Sequence, residues 1–153
     1  MQEAGGRTKQ TNQPQTARVL DVGIRAIDLQ HQELFSLLSQ LNTLHKVGKS
    51  QQALDEVLPQ LQNYALFHFS EEEDLMQALV GCEEAIQTHR IQHQAFANQL
   101  DRLIVSRGEK ARDDDLVVRL ASFLEAWLVN HINTSDRDIA RLLLTQVPSL
   151  RHP

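Results

Sequence analysis

A single cysteine, Cys82, rules out an internal disulfide framework, so any core must hold by packing alone. Aromatic residues make up only 5% of the chain, and its 6 glycines and 4 prolines are too few for a turn-rich sandwich or a low-complexity linker. No stretch reaches the ~20 consecutive apolar residues that span a bilayer, because charges or amides interrupt every apolar run. Basic residues are also short of a pattern: they lie singly among acids, and the formal net charge is -5. That balance excludes the basic stripe or tail by which proteins bind nucleic acid or anionic membrane. Residues Met1 to Gln15 offer no apolar segment to serve as a signal peptide, so a soluble, cytoplasmic protein is expected.

What is present is enough for one domain. A chain of 153 residues with 41% hydrophobic content can bury a genuine core, and its leucines and alanines suit helices better than sheets. Residues 1–16, rich in glutamine, threonine and glycine, have little to bury and read as a flexible N-terminal arm. Residues 17–147 read as one helical domain and 148–153 as a tail.

Apolar residues at three- and four-residue steps mark four helices. The first spans Arg25 to Lys46, with Ile24, Ile27, Leu34, Leu38 and Leu41 inward and Gly48 as its stop. The second starts at Ser50 as N-cap and runs to Val80, with Pro59 kinking or restarting it. The third spans Glu83 to Ser106. The fourth begins at the acids Asp113, Asp114 and Asp115, which cap free amides and oppose the helix dipole, and ends before Pro148. Short loops between four amphipathic helices predict an all-α, up-down-up-down antiparallel bundle.

Five of the seven histidines, His31, His68, His89, His93 and His131, fall on the apolar faces together with Glu72, and Asp136 lies close by. Burying so many polar groups costs several kcal/mol unless each finds a partner, and facing imidazoles offer one another few hydrogen bonds. A metal ion supplies that partner. His68 and Glu72, like His89 and His93, are spaced i to i+4, which puts each pair about 40° apart on one face. His131 and Asp136 are five apart, about 140° on an ideal helix. Either the helix loosens at Asn133-Thr134-Ser135, which are weak helix formers, or Asp136 reaches back. Seven donors exceed what one ion needs, whereas two ions bridged by two carboxylates and completed by five imidazoles use them all. Nitrogen and oxygen donors without thiolate suit iron, manganese or zinc alike.

The segments VGIRAIDLQH around His31, HFSEEEDLM around His68, HRIQH around His89 and WLVNHINTSD around His131 resemble the bacterial hemerythrins, from about Val22 to Ile139. The resemblance implies two iron ions, one held by His89, His93 and His131 and the other by His31 and His68, with Glu72 and Asp136 bridging both. It also implies a solvent-derived oxo or hydroxo bridge, and an open position on the two-histidine iron where dioxygen binds reversibly. Ile27, Leu34, Phe69, Trp127 and Leu128 are the candidate lining of a dry pocket. The chain departs from the family pattern at Arg18, Val19 and Leu20, where members often carry an aromatic residue. It departs again at Gly81-Cys82, which replaces a common tyrosine-proline pair.

The expected function is oxygen storage, or delivery to an oxidase or oxygenase, by a monomer that is not an enzyme. An oxygen or redox sensor acting on a signalling partner through its arm or its bundle surface is the second reading. A di-iron enzyme handling peroxide or nitric oxide ranks last, since no acid or thiol relay is apparent at core positions. His45 and His152 read as exposed or dipole-stabilising, Tyr64 and Trp127 as core, and Cys82 as an unactivated thiol lacking cationic neighbours.

Overall fold

The computed structural model describes residues 20–109 and 111–151, so the expected arm, Arg18, Val19 and His152 lie outside the described residues. Helix α1 is Arg25–Lys46. A short turn, Ser50–Gln52, and a π-helical turn, Ala53–Val57, lead into α2, Leu58–Met76. Then come α3, Glu83–Ser106, and α4, Asp113–His131. A second π-helical turn, Ile132–Asp136, joins α4 to α5, Arg137–Gln146, and a 3-10 turn, Pro148–Leu150, follows. Among the described residues the only extended pairing is an isolated bridge between Ile24 and Arg151.

The expected helix bounds match closely for α1 and α3, and the differences elsewhere have local causes. Gly48 ends α1 with φ +79°, a conformation that costs a residue with a Cβ but not glycine. Pro59 sits in the first turn of α2, where its missing N–H is no loss, so the helix restarts there behind the π turn. Helix α2 stops at Met76, four residues short of the expected Val80; Leu79 stays buried in the following turn, whereas Val80 is exposed. Ser50 is not an N-cap. Lys49 holds that position, and the Ser50 hydroxyl instead donates to Asp114 Oδ1 at 2.6 Å while lying 2.9 Å from His45 Nδ1. Half-buried His45 is therefore a bonded residue. Nor do the acids of α4 cap it: Arg112 is the N-cap, with no side-chain bond. The acids occupy the first turn, where they oppose the dipole, and Asp113 accepts from Arg107 Nε at 3.0 Å.

These contacts show the chain direction. The end of α1, the lead-in to α2, the end of α3 and the start of α4 meet at one end of the molecule, through His45, Ser50, Asp55, Arg107, Asp113 and Asp114. Successive helices must then alternate in sense. Helix α1 packs against α2 and α4, and α3 closes the ring against the same two. The result is the antiparallel four-helix bundle.

Its interior divides in two. The larger apolar cluster, near the end just described, is built on fully buried Leu34, Leu41, Leu61, Leu116, Leu120 and Leu124, each contributing about 2 kcal/mol of transfer free energy. The smaller one, at the other end, holds Ile24, Ile27, Met76, Leu79, Ile139, Ala140 and Leu143. On every helix the metal-type residues fall between the two: His31 between Ile27 and Leu34, His68 and Glu72 between Ala65 and Met76, His131 and Asp136 between Leu128 and Ile139. No helix among the described residues is long and apolar enough to cross a membrane.

Candidate metal centre

All seven sequence-predicted residues, His31, His68, Glu72, His89, His93, His131 and Asp136, are brought together, each at most 4% exposed. The i to i+4 pairs on α2 and α3 meet as the helical repeat dictates. The five-residue step from His131 to Asp136 is met by the helix loosening: Ile132–Asp136 forms a π turn, whose i to i+5 bonds bring Asp136 back beneath His131. Side chains hold that turn open. Thr134 Oγ1 donates to the Asn130 carbonyl at 2.7 Å, and Ser135 Oγ donates to Gln92 Oε1 on α3 at 2.5 Å.

Every imidazole turns Nε2 toward a common centre. Nε2 of His89 and of His131 each lie 3.0 Å from Asp136 Oδ1, and Nε2 of His31 lies 3.0 Å from Asp136 Oδ2. Glu72 Oε2 is 3.4 Å from His68 and His89 and 3.3 Å from His93. Two groups of donors result, each with its atoms within 4.8 Å of one another: Glu72, His89, His93, His131 and Asp136, and His31, His68, Glu72 and Asp136. The two carboxylates belong to both.

The hydrogen-bond inventory tests whether this set suits a metal. Glu72 Oε1 and both oxygens of Asp136 are buried without an aligned donor; Nδ1 of His31, His89 and His93 also lacks a partner, but not on the ring edge that faces the centre. Each such atom costs about 1–3 kcal/mol when left unpaired, a large sum beside the roughly 5–15 kcal/mol that stabilises a domain. Convergent nitrogen and oxygen lone pairs with too few protons among them are what a cation satisfies, so the residues fit divalent metal.

Titration behaviour follows from the same crowding. Burial, with Asp136 beside it, pushes Glu72 well above the usual carboxylate range. Burial would also raise Asp136, but the imidazoles of His131, His31 and His89 at its oxygens hold it well below that range. Burial opposes a charge on His89 as well, yet Asp136 and Glu72 together lift its pKa to about 9. His68 falls to about 3 through burial and the neighbouring His31, and His93 to about 2 through burial and the neighbouring His89 and His131. Without a metal His89 therefore keeps a proton near neutrality while His68 and His93 stay neutral, and Glu72 holds its proton to higher pH than an ordinary carboxyl.

Aromatic rings close one side. Phe69 stacks on His93 with centroids 3.9 Å apart, and Trp127 on His131 at 4.3 Å. Phe96 meets Phe69 edge-on at 5.3 Å. Of the expected lining, Phe69, Leu34 and Leu128 are buried in the larger cluster and Ile27 in the smaller, while Trp127 is partly buried.

Sequence reasoning overlooked Gln30. It is buried, and its Oε1 lies 2.7 Å from His68 Nδ1. An amide oxygen there accepts the Nδ1–H and leaves the Nε2 lone pair of His68 aimed at the centre. The clue was a polar residue beside His31, one step off the apolar face and turned toward α2. Asp28 was also missed: its buried carboxylate accepts from the backbone N–H of Val22 at 2.7 Å and of Gly23 at 3.1 Å, fixing the approach to α1.

Comparison with known proteins follows the same lines. A family model described as the hemerythrin HHE cation binding domain matches residues 22–143. A bacteriohemerythrin of Clostridium acetobutylicum is 30% identical over 122 residues, covering 77% of this chain and 92% of that protein. One from Pseudomonas aeruginosa is 32% identical over 119 residues, 76% of this chain and 72% of its own length. One from Stenotrophomonas maltophilia is 33% identical over 129 residues, 79% and 75% of the two. No solved structure matches the chain.

Proposed function

The chain belongs to the hemerythrin family, and from that premise we propose that it binds dioxygen reversibly at a di-iron centre, for storage or for delivery to an oxidase or oxygenase. His89, His93 and His131 would hold one iron, His31 and His68 the other, and Glu72 and Asp136 would bridge them. The observation that carries this reading is the pair of donor groups sharing both carboxylates, three histidines on one side and two on the other. Two ferrous ions would supply the electrons for binding oxygen, and the side with only His31 and His68 would have the smaller complement of protein donors.

The residues of the chain do the rest. Five neutral imidazoles and only two carboxylates keep the anionic charge of the set low, which favours reversible binding over the higher oxidation states that oxygen cleavage demands. Gln30 fixes the ring of His68, one of only two histidines on its side. Phe69, Phe96 and Trp127 exclude water from His93 and His131, where stray solvent and protons would promote irreversible oxidation.

The test is visible absorption of the anaerobically reduced protein as oxygen is admitted and removed, with iron per chain measured alongside. Two irons and a band that rises and falls with oxygen support the proposal. Irreversible oxidation without such a band refutes oxygen carriage, and a reconstituted protein without iron refutes the metal assignment.

A further inference from the structure

The centre is buried on all sides, so iron must reach it through some part of the protein wall. A cavity of about 780 Å³ opens between the start of α3 and the π turn with α5, and His89 forms part of its wall. Other hollows lie near Val129 and near Arg119, but none of the seven residues of the centre borders either.

This cavity has the chemistry of a cation path. Glu83, Glu84 and Asp138 line it, Thr88 and Ser135 add hydroxyl groups, and none of its lining residues is a lysine or arginine. Asp138 also faces Arg141 at 3.6 Å, but both side chains are more than 70% exposed, and such a pair is weak. The start of α3 carries a partial positive charge, which Glu83 and Glu84 in its first turn more than offset. The inner wall supplies an independent sign of a ligand. His89 is 1% exposed, its Nε2 faces Asp136 at 3.0 Å, and its Nδ1, on the opposite edge of the ring, is buried without a partner.

The mouth is also held in shape. Gln146 of α5 clamps the turn after α2 at two points, accepting from the Val80 N–H at 2.8 Å and donating to the Val80 carbonyl at 2.9 Å. Gly81, with φ +75°, lets the chain reverse there.

We infer that this cavity is the route by which ferrous ions load the centre, with Glu83, Glu84 and Asp138 concentrating the cation at the mouth and His89 receiving it. The inference rests on the di-iron reading of the centre. It calls for no redox step, since a ferrous ion moves from solvent to the donors and displaces protons.

Trp127 is the only tryptophan and stacks on His131, so its fluorescence quenching reports metal arrival without any oxygen assay. Ferrous iron is mixed anaerobically with metal-free protein in a stopped-flow instrument, and iron per chain is measured at the end. In the triple variant Glu83→Gln, Glu84→Gln, Asp138→Asn, loading slows about tenfold or more and loses much of its dependence on salt, while final iron content is unchanged. The uncharged plug Thr88→Phe slows it too. A control lacking three acids elsewhere, Glu109→Gln, Asp115→Asn, Glu125→Gln, loads at the native rate. If the cavity variants load two irons as fast as the native chain, or the control slows equally, the route is wrong and the centre stands. If the native protein takes up no iron, the reading of the centre falls, and the route with it.

Discussion

Iron binding must displace the protons that the metal-free cluster would hold. His89 has a pKa of about 9, raised against burial by Asp136 and Glu72, and Glu72 itself is held high by burial and Asp136. Both pKa values are raised, so below them a proton competes with the metal, and above them the competition ends. At about pH 7, roughly two units below the His89 value, the proton on His89 alone costs about 2.7 kcal/mol, or about a hundredfold in affinity relative to the fully deprotonated ring. Glu72 adds a second proton at any pH below its own raised value, steepening the dependence. His68 and His93, depressed to about 3 and about 2, are already neutral and release nothing. The assay is anaerobic calorimetry of ferrous binding in buffers of different ionisation enthalpy, which counts protons released, repeated from about pH 6 to about pH 9. Release of at least one proton near neutrality, with affinity climbing across the whole range, is expected. No proton release at neutral pH, or an affinity flat across the range, would refute this charge assignment.

Three further outcomes follow from single contacts. Gln30→Leu removes the acceptor from His68 Nδ1 and lowers metal affinity about 10- to 100-fold, measured by chelator competition, whereas Gln30→Glu retains an acceptor and most of the affinity. Inserting one alanine after Ser135 puts Asp136 six residues after His131 and swings it about 100° from its place, so iron per chain falls below two while the helical circular dichroism persists. Phe69→Ala opens a cavity against His93 and Phe96, lowering unfolding free energy by about 3–5 kcal/mol in denaturant titration and hastening irreversible oxidation of the reduced protein.

Much of this was legible in the sequence because helical periodicity and ligand spacing obey the same geometry. Residues such as Leu34, Leu41 and Leu124 report their burial through a repeat of three and four, and His68 with Glu72 reports a shared face through a step of four. The step of five at Asp136 was legible as a conflict: the sequence offered two ways to resolve it, and the π turn is one of them. What escaped is what depends on partners distant in sequence. Ser50 has the side chain of an N-cap, but Asp114, 64 residues away, binds its hydroxyl more usefully. The Asp113 carboxylate likewise pairs with Arg107 and leaves the α4 amides uncapped. Gln30 reads as an ordinary surface amide until α2 brings His68 against it, and the cavity beside His89 joins α3 to a turn more than forty residues later.

The division of the core by the ligand layer has a consequence for dynamics. With metal bound, Glu72 and Asp136 would tie α2 to the segment that leads into α5, and the smaller apolar cluster would be held against the rest of the bundle through them. Without metal, that layer carries unpaired buried atoms instead of bonds, and the smaller cluster must hold on its own few residues, Ile24, Ile27, Met76, Leu79, Ile139, Ala140 and Leu143. The larger cluster, which spans α1, α2, α3 and α4, loses far less. Metal removal therefore lowers stability unevenly, opening the end that contains α5 and the start of α3 before the end that contains Leu41, Leu61 and Leu116. Amide hydrogen exchange with and without iron checks this. Protection along Arg137–Gln146 and the first turns of Glu83–Ser106 falls steeply on metal removal, while the second half of Arg25–Lys46 keeps most of its protection. Equal loss in all three segments would mean that the two clusters fold as one unit and that the metal layer is not their joint.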